Sequence, residues 1–382
     1  MLIKYVNISI ILFGGLLMLV STFNGISIDA IACAVPKQEE TSEKIYKKHG
    51  QEYTEKIKKT IAVNTIRKSI KKQISSDLGF IAAQKILNYK NINPTDIGIM
   101  VYVTQTPDYQ IPATSCILHK RLGLSIDCAT IDVNNGCAGF VYGTHVICSM
   151  LNSINCNYAL LINGDTSSPK KIIKECLKKR ISVPFGDGTT AVLFKKSNIN
   201  DLIQITLRTN GNGYHSLILY GGGGYRVKTY TTKEKKVGYK NINYPLMNGI
   251  DVFNFTITDV PTQVNEFLSY QNMSISDYDC IVLHQPNLYM IKQIAKKINA
   301  DMEKIPISLY KYGNTSGASI PLTLVDKYGD TNNGIVKTLM CGFGVGLYWG
   351  TMSVNINTSD ILPMIYSDDY FIDPQIDNYV YD

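Results

Sequence analysis

A thiol, an imidazole and a carboxamide stand apart from the other polar side chains of this sequence by what surrounds them: Cys137, His284 and Asn314. Residues 129–133 (ATIDV) read as a strand, 134–136 (NNG) as a tight turn, and 137–151 as an almost wholly apolar helix. Cys137 therefore stands at the amino end of that helix, where unpaired N–H groups and the helix dipole favour thiolate over thiol, the form a nucleophile needs. Gly136 and Gly139 leave space beside it for a substrate backbone. Most of the other eight cysteines read as core thiols, as Cys148 and Cys156 illustrate. His284 closes a short apolar run in 283–287 (LHQPN). A lone His after a strand is ordinarily a satisfied polar residue, but the carboxyl end of a parallel strand is where α/β sheets build ligand sites. Asn314 lies in 312–319 (YGNTSGAS), a small-residue turn leading into an apolar stretch.

The elements that must position these three recur. Leu78, Ile81, Ala82, Ile86 and Leu87 form one helical face, followed by a break at Asn93-Pro94 and the apolar run 97–104 (IGIMVYVT). Val260, Val264, Phe267 and Leu268 form a second such face, followed by 276–279 (SDYD) and the strand-like 280–283. Glycine turns running into strands, 185–194 (FGDGTTAVLF) and 341–354 (CGFGVGLYWGTMSV), close the two units. The chain thus carries an internal duplication, roughly 74–195 and 250–355, which predicts two similar α/β halves packed together. Cys137 follows Asp96 by 41 residues and Asn314 follows Asp279 by 35, so nucleophile and amide face each other across the pseudo-dyad, with His284 beside them.

With 382 residues, 38 Lys+Arg against 31 Asp+Glu, and 45% apolar residues, the composition is that of a globular protein and not of a disordered or collagen-like one. The net charge of +7 suits an acidic partner, and no dense basic stripe points to nucleic acid. Nine cysteines without a CxxC pair argue against a disulfide framework or zinc site and for a reducing compartment, the cytoplasm. At the amino end, residues 8–20 (ISIILFGGLLMLV) resemble a signal-peptide core, which leaves a membrane anchor open. The preferred reading takes residues 1–26 as a hydrophobic extension and Ile26–Val35 as the first core strand. Residues 221–224 (GGGG) lack the GK[ST] of a phosphate loop and read as a surface turn. The end of the chain, 357–382, is acidic and Tyr-rich and carries no chemistry.

Over about residues 27–356 the chain resembles the β-ketoacyl-acyl-carrier-protein synthase III enzymes of the thiolase superfamily. The matching pieces are 105–112 (QTPDYQIP), 132–140 (DVNNGCAGF), 185–191 (FGDGTTA), 247–255 (MNGIDVFNF), 284–287 (HQPN), 313–319 (GNTSGAS) and 342–350 (GFGVGLYWG). Papain-type proteases also use Cys, His and Asn, but their CGSCW-like flanks are absent here. The resemblance implies a thiolase-like fold, two duplicated halves in an αβαβα layering, with residues 27–200 supplying the Cys and 201–356 the His and Asn. Cys137 would take an acyl group from a thioester, through an intermediate held by its own N–H and that of Gly344 or Val345. His284 and Asn314 would donate to the thioester carbonyl of a malonyl-carrier protein and stabilise the enolate left by decarboxylation. Phe255 would wall the site. In a homodimer, Ile111 would reach into the partner's acyl pocket.

The same resemblance implies no permanently bound cofactor: acyl-CoA or an acyl-carrier phosphopantetheine arrives as substrate, with acyl carrier protein as partner. Departures bear on that donor. The early CoA-binding window, 55–63, has no Trp, and Arg180 lies about one residue from an adenine-stacking Arg. Tyr289 stands where the family often has Arg. Arg67, Lys174, Lys178 and Arg180 are the candidate docking cations, the last three in a run of six bases around Glu175. The GNTSxASIPLT flavour is associated with synthases of surface-polysaccharide or specialised lipid pathways rather than with housekeeping fatty-acid initiation. Two other outcomes fit the fold: acyl transfer to an alcohol or amine without decarboxylation, and a catalytically silent partner subunit. The complete Cys137, His284, Asn314 set speaks against the second.

Overall fold

Successive side chains of a strand point to opposite faces, and in this chain both faces of the central strands are apolar, as sheets covered on both sides require. In Ile26–Val35, Ile31, Cys33 and Val35 enter one core while Ala30, Ala32 and Ala34 enter another. The computed structural model, describing residues 7–13, 16–46, 51–167, 185–219 and 245–373, arranges these strands in two six-stranded sheets. The first has the order Ile365–Tyr366, Ile26–Val35, Gly188–Lys196, Tyr158–Asp165, Ile97–Val103, Ala129–Val133. The second has the order Asn7–Phe13, Leu16–Asn24, Leu202–Thr209, Tyr348–Asn357, Ile335–Gly344, Cys280–Leu283.

The expected five-layer α/β arrangement follows from three cores. The helix Gly139–Ser153 and the helix Ser319–Tyr328 lie between the sheets and share one core with the inward residues of both. Ser75–Lys90 and Thr114–Leu122 cover the outer face of the first sheet. Gly249–Gln271 and Leu288–Lys297 cover the outer face of the second. The duplication is visible in the strands. Tyr158–Asp165 pairs in parallel with Ile97–Val103 and antiparallel with Gly188–Lys196. Ile335–Gly344 pairs in parallel with Cys280–Leu283 and antiparallel with Tyr348–Asn357. Among the described residues, no helix is long and apolar enough to cross a membrane.

The amino end of the chain differs from expectation. The apolar run near the amino terminus is no appended extension: Leu16–Asn24 is a strand of the second sheet, antiparallel to Leu202–Thr209, with Met18, Val20 and Phe23 buried. The physical reason is alternation. Val20 and Phe23 supply apolar surface that the edge of the second sheet would otherwise leave wet, and a signal-peptide core has the same composition. At the other end, Ile365–Tyr366 adds to the first sheet beside Ala34 and Val35, and Phe371 N–H donates to Asp77. Arg121 there is stacked between the rings of Phe80 and Phe371 and paired with Asp77 at 3.0 Å, so the acidic tail fastens a helix edge.

Phe23, paired with Ile203 and fully buried, reports whether the first described strands belong to the folded body. Phe23→Ala is expected to cost about 3–5 kcal/mol, the usual loss for a buried Phe, and to lower the thermal midpoint of the whole protein. An unchanged midpoint in a melting experiment would mean that the strand is dispensable.

Candidate active site

The two-residue period that builds the cores also aims the site. In Cys280–Leu283, Cys280 and Val282 face the central layer and Ile281 and Leu283 face outward, so the next residue, His284, turns inward. In Ile335–Gly344, Leu339, Cys341 and Phe343 face outward, which leaves Gly342 and Gly344 facing the central helices. There they meet the Cys137 turn. A Cβ on Gly344 would lie 2.6 Å from the Cys137 Cβ and 3.2 Å from its sulfur, and one on Gly342 would lie 3.0 Å from the Ala138 Cα. Any side chain at 344 would displace the thiol. Gly344 is therefore in contact with Cys137, as the oxyanion expectation requires, while Val345 lies just beyond it in the turn before Tyr348–Asn357.

The helix begins at Gly139, with Ala138 as its cap, so Cys137 sits in the turn two residues ahead of the first helical residue and not within the helix. Facing it is the 314–319 turn. The Ser316 hydroxyl acts on the Cys137 thiol, opposing the upward push of burial on it. The Ser316 N–H donates to Asn314 Oδ1 at 2.8 Å, which fixes the amide so that its NH₂ is the free end. Ser319 Oγ lies 2.7 Å from His284 Nδ1. His284 N–H is anchored on the Cys341 carbonyl at 2.9 Å, and its ring stands edge-on to Phe343, 5.3 Å between centroids. The loops beneath are tied down by two carboxylates. Asp165 accepts from Thr104, Gln105 and Thr106, and the buried Asp187 accepts from the N–H groups of Ser69 and Ser167.

Electrostatics run against one expectation. Burial pushes the Cys137 thiol up to about 12, with the Asp165 carboxylate acting in the same direction and the hydrogen bonds from Ser316 and from its own N–H opposing. The resting group is a thiol; loss of hydration outweighs the helix end. Burial pushes His284 down to about 3, so its imidazole is neutral throughout the physiological range. A neutral imidazole and a carboxamide are hydrogen-bond donors without being acids, suited to holding a developing oxyanion.

The remaining expected residues scatter. Phe255 is buried in the outer core of the second half, edge-on to Trp349 at 5.2 Å. Ile111 is 86% exposed, at the surface and away from the core of its own chain. Tyr289 is half exposed and stacks on Phe253, 5.8 Å apart and 14° from parallel. Arg67, expected as a docking cation, is corrected: it pairs with Glu39 at 2.7 Å, donates to the Lys37 carbonyl and lies over the Tyr366 ring, so its guanidinium is spent on the fold. Lys174, Lys178 and Arg180, and the 221–224 glycines, lie outside the described residues. Ser316, Ser319, Phe343 and Phe253 were not singled out from sequence; the regular spacing of two serines behind Asn314 was the available signal. A cleft of about 530 Å³ lined by Asp96, Gly98, Cys128 and Cys156 opens at the other, amino ends of the parallel strands and shares none of these residues.

A thiol with this environment has a characteristic pH response. Below a pKa of about 12 the thiolate fraction grows about tenfold per pH unit, so alkylation of Cys137 by iodoacetamide is expected to keep rising from pH 7 to pH 10. Peptide mass spectrometry separates it from the exposed Cys116. A plateau for Cys137 below pH 8 would mean that the helix end, and not burial, controls it.

Comparison with known proteins agrees with this geometry. The family profile described as 3-oxoacyl-[acyl-carrier-protein (ACP)] synthase III matches residues 131–211, and its C-terminal counterpart matches residues 268–356. The β-ketoacyl-[acyl-carrier-protein] synthase III of Clostridium acetobutylicum is 32% identical over 280 residues, 73% of this chain and 83% of the relative. That of Blochmanniella floridana is 32% identical over 282 residues, covering 72% and 82%. Among solved structures, a 3-oxoacyl-(acyl-carrier protein) synthase from Burkholderia xenovorans superposes with a TM-score of 0.84 at 28% identity, over 91% of this chain and 99% of that one. With the relatives covered across most of their length and the Cys137 turn, the His284 strand end and the Asn314 turn all inside the matched regions, the chain belongs to the β-ketoacyl-acyl-carrier-protein synthase III family of thiolase-fold condensing enzymes.

Proposed function

We propose that this protein extends an acyl thioester primer by decarboxylative Claisen condensation with malonyl-acyl carrier protein, through an acyl-Cys137 intermediate. The Cys137 sulfur attacks the primer's carbonyl carbon. The tetrahedral oxyanion is held by the N–H of Cys137 and that of Gly344 or Val345. Cys137 gives up its proton as it attacks, and the primer's carrier leaves as a thiol carrying a proton, so the step balances from a resting thiol. Malonyl-carrier protein then loses its carboxylate as CO₂. The electrons of the broken C–C bond become an enolate whose oxygen accepts from His284 and Asn314. The enolate carbon attacks the acyl carbon and expels Cys137 as thiolate, which is reprotonated.

The observation that supports this reading is the 314–319 turn, whose Ser319 pairs with His284, whose Ser316 N–H orients the Asn314 amide, and whose Ser316 hydroxyl acts on the Cys137 thiol. An imidazole and a carboxamide beside a thiol suit the stabilisation of an enolate oxygen by two neutral donors. No permanent cofactor is called for. Acyl-CoA or acyl-carrier phosphopantetheine is the primer donor, and the missing Trp in 55–63 weakens the case for CoA and leaves the carrier form open. A homodimer places the exposed Ile111 in the partner's acyl pocket.

The half-reactions separate the roles. Cys137→Ala is expected to abolish acyl loading and condensation, whereas His284→Ala and Asn314→Ala still load an acyl group and lose on the order of 10²–10³ in condensation rate. Intact-protein mass spectrometry after incubation with acyl-CoA and acyl-carrier donors decides it; folded His284 or Asn314 variants that fail to load would sink the division of labour. For chain length, Ile111→Gly is expected to admit longer primers and Ile111→Phe to restrict them, in a competition assay with primers of graded length. Unchanged preference in both would remove Ile111 from the pocket.

A further inference from the structure

We propose that Ser319 is a positioning residue for the reaction: its hydroxyl donates to His284 Nδ1, and so holds the imidazole in the tautomer whose proton is on Nε2, the nitrogen turned to the substrate. The inference rests on the decarboxylative reading above and deepens the role of His284 within it.

Proton counting on two buried groups supports the assignment. Ser319 is fully buried and His284 is 2% exposed, and their contact is 2.7 Å. A hydroxyl brings one proton, and a neutral imidazole brings one ring proton shared between two nitrogens. Among the described residues, His284 Nδ1 is the one hydrogen-bond partner recorded for the Ser319 hydroxyl. Were Nδ1 protonated and donating, the buried serine proton would have no acceptor among its recorded partners, and a buried donor left unpaired costs more than the bond it replaces is worth. Nε2 would also present a lone pair to the carbonyl oxygen it has to stabilise. With Ser319 donating, every proton is used and Nε2–H is the free donor.

The surroundings hold this arrangement in place. Ser319 is the first residue of the helix Ser319–Tyr328, and its carbonyl accepts from Thr323 Oγ1, which in turn pairs with Ser308. The imidazole is fixed by its backbone bond to Cys341 and its edge contact with Phe343. The partner behind the ring is a hydroxyl and not a carboxylate. A carboxylate there would draw a second proton onto the ring; a hydroxyl leaves it neutral, in keeping with the push of burial toward the uncharged form. The same short turn thus sets three donors: Ser316 N–H orients Asn314, Ser316 Oγ faces the Cys137 sulfur, and Ser319 Oγ orients His284.

The test is Ser319→Ala in the full-length protein, with Ser319→Cys as a second variant carrying a weaker donor. Alanine is a good helix former, so the helix start is retained. For condensation with malonyl-carrier protein, kcat is expected to fall roughly tenfold to a hundredfold, less than the loss on removing a donor outright, while KM and acyl loading of Cys137 change less than about twofold. Ser319→Cys is expected to fall between. The ring itself gives a readout that a packing defect would not move: in protein labelled with ¹⁵N-histidine, one of only five residues of its type, the wild-type His284 signal should be that of an Nε2–H tautomer, and Ser319→Ala should show Nδ1–H appearing. A wild-type signal with the proton on Nδ1, or Ser319→Ala with an unchanged tautomer and kcat, would overturn the proposal. If the wild type shows Nε2–H yet neither decarboxylates nor condenses malonyl-carrier protein, the functional reading fails and the tautomer assignment stands.

Discussion

The two halves of this chain share one site because backbone meets side chain, or backbone meets backbone, at positions that have no Cβ. Gly344 crosses Cys137, Gly317 lies under Asn163 and the Gly136 carbonyl, and Gly186 lies against the Tyr312 carbonyl, where a Cβ would come within 1.9 Å. Each of these is a contact between one half and the other. Close approach at all three lets a strand end of the second sheet, a turn ahead of a central helix and the 314–319 turn converge on a single thiol. Side chains there would force the two halves to shift, and the groups that meet across the seam would lose their present contacts. Asn163 completes the seam by donating to the Gly317 carbonyl at 3.0 Å.

Convergence in a dry interior sets the chemistry. The same loss of hydration that raises the Cys137 thiol lowers the His284 imidazole, so both groups rest uncharged. Only the thiolate of such a thiol is nucleophilic, so Cys137 has to give up its proton to react, whereas a neutral imidazole donates a hydrogen bond without surrendering its proton. Polar contacts around these groups are made by serine hydroxyls and backbone N–H groups, which add direction without adding charge. Asp165 and Asp187, the carboxylates nearest the seam, are committed to holding loops.

The rim of the site is built differently from its interior. Tyr289 and Phe253 form a stacked aromatic pair where a cation is common in the family, and Arg67 is enclosed by Glu39 and Tyr366. The interior is constrained by contacts on every side; the rim is constrained only by its partner.

Much of the interior was legible from sequence because it depends on local pattern. A duplicated order of helical face, break and apolar strand pointed to two α/β halves, and a Cys after a strand and a tight turn, a His at a strand end and an Asn in a small-residue turn are each defined by their immediate neighbours. What those neighbours could not decide was partnership across the fold. An apolar run such as 16–24 has the same composition whether it is a leader or a sheet strand, and only the open edge beside Leu202–Thr209 makes it the latter. The protonation of Cys137 could not be read from its helix-end position, because desolvation by the other half outweighs the local dipole. Nor could Arg67 be told from a free cation until Glu39 and Tyr366 were brought beside it, or Ser319 from an ordinary helix start until His284 arrived from 35 residues away. Sequence determines which groups a segment offers; which of them stay hydrated, charged or paired is decided by what the tertiary structure packs against them.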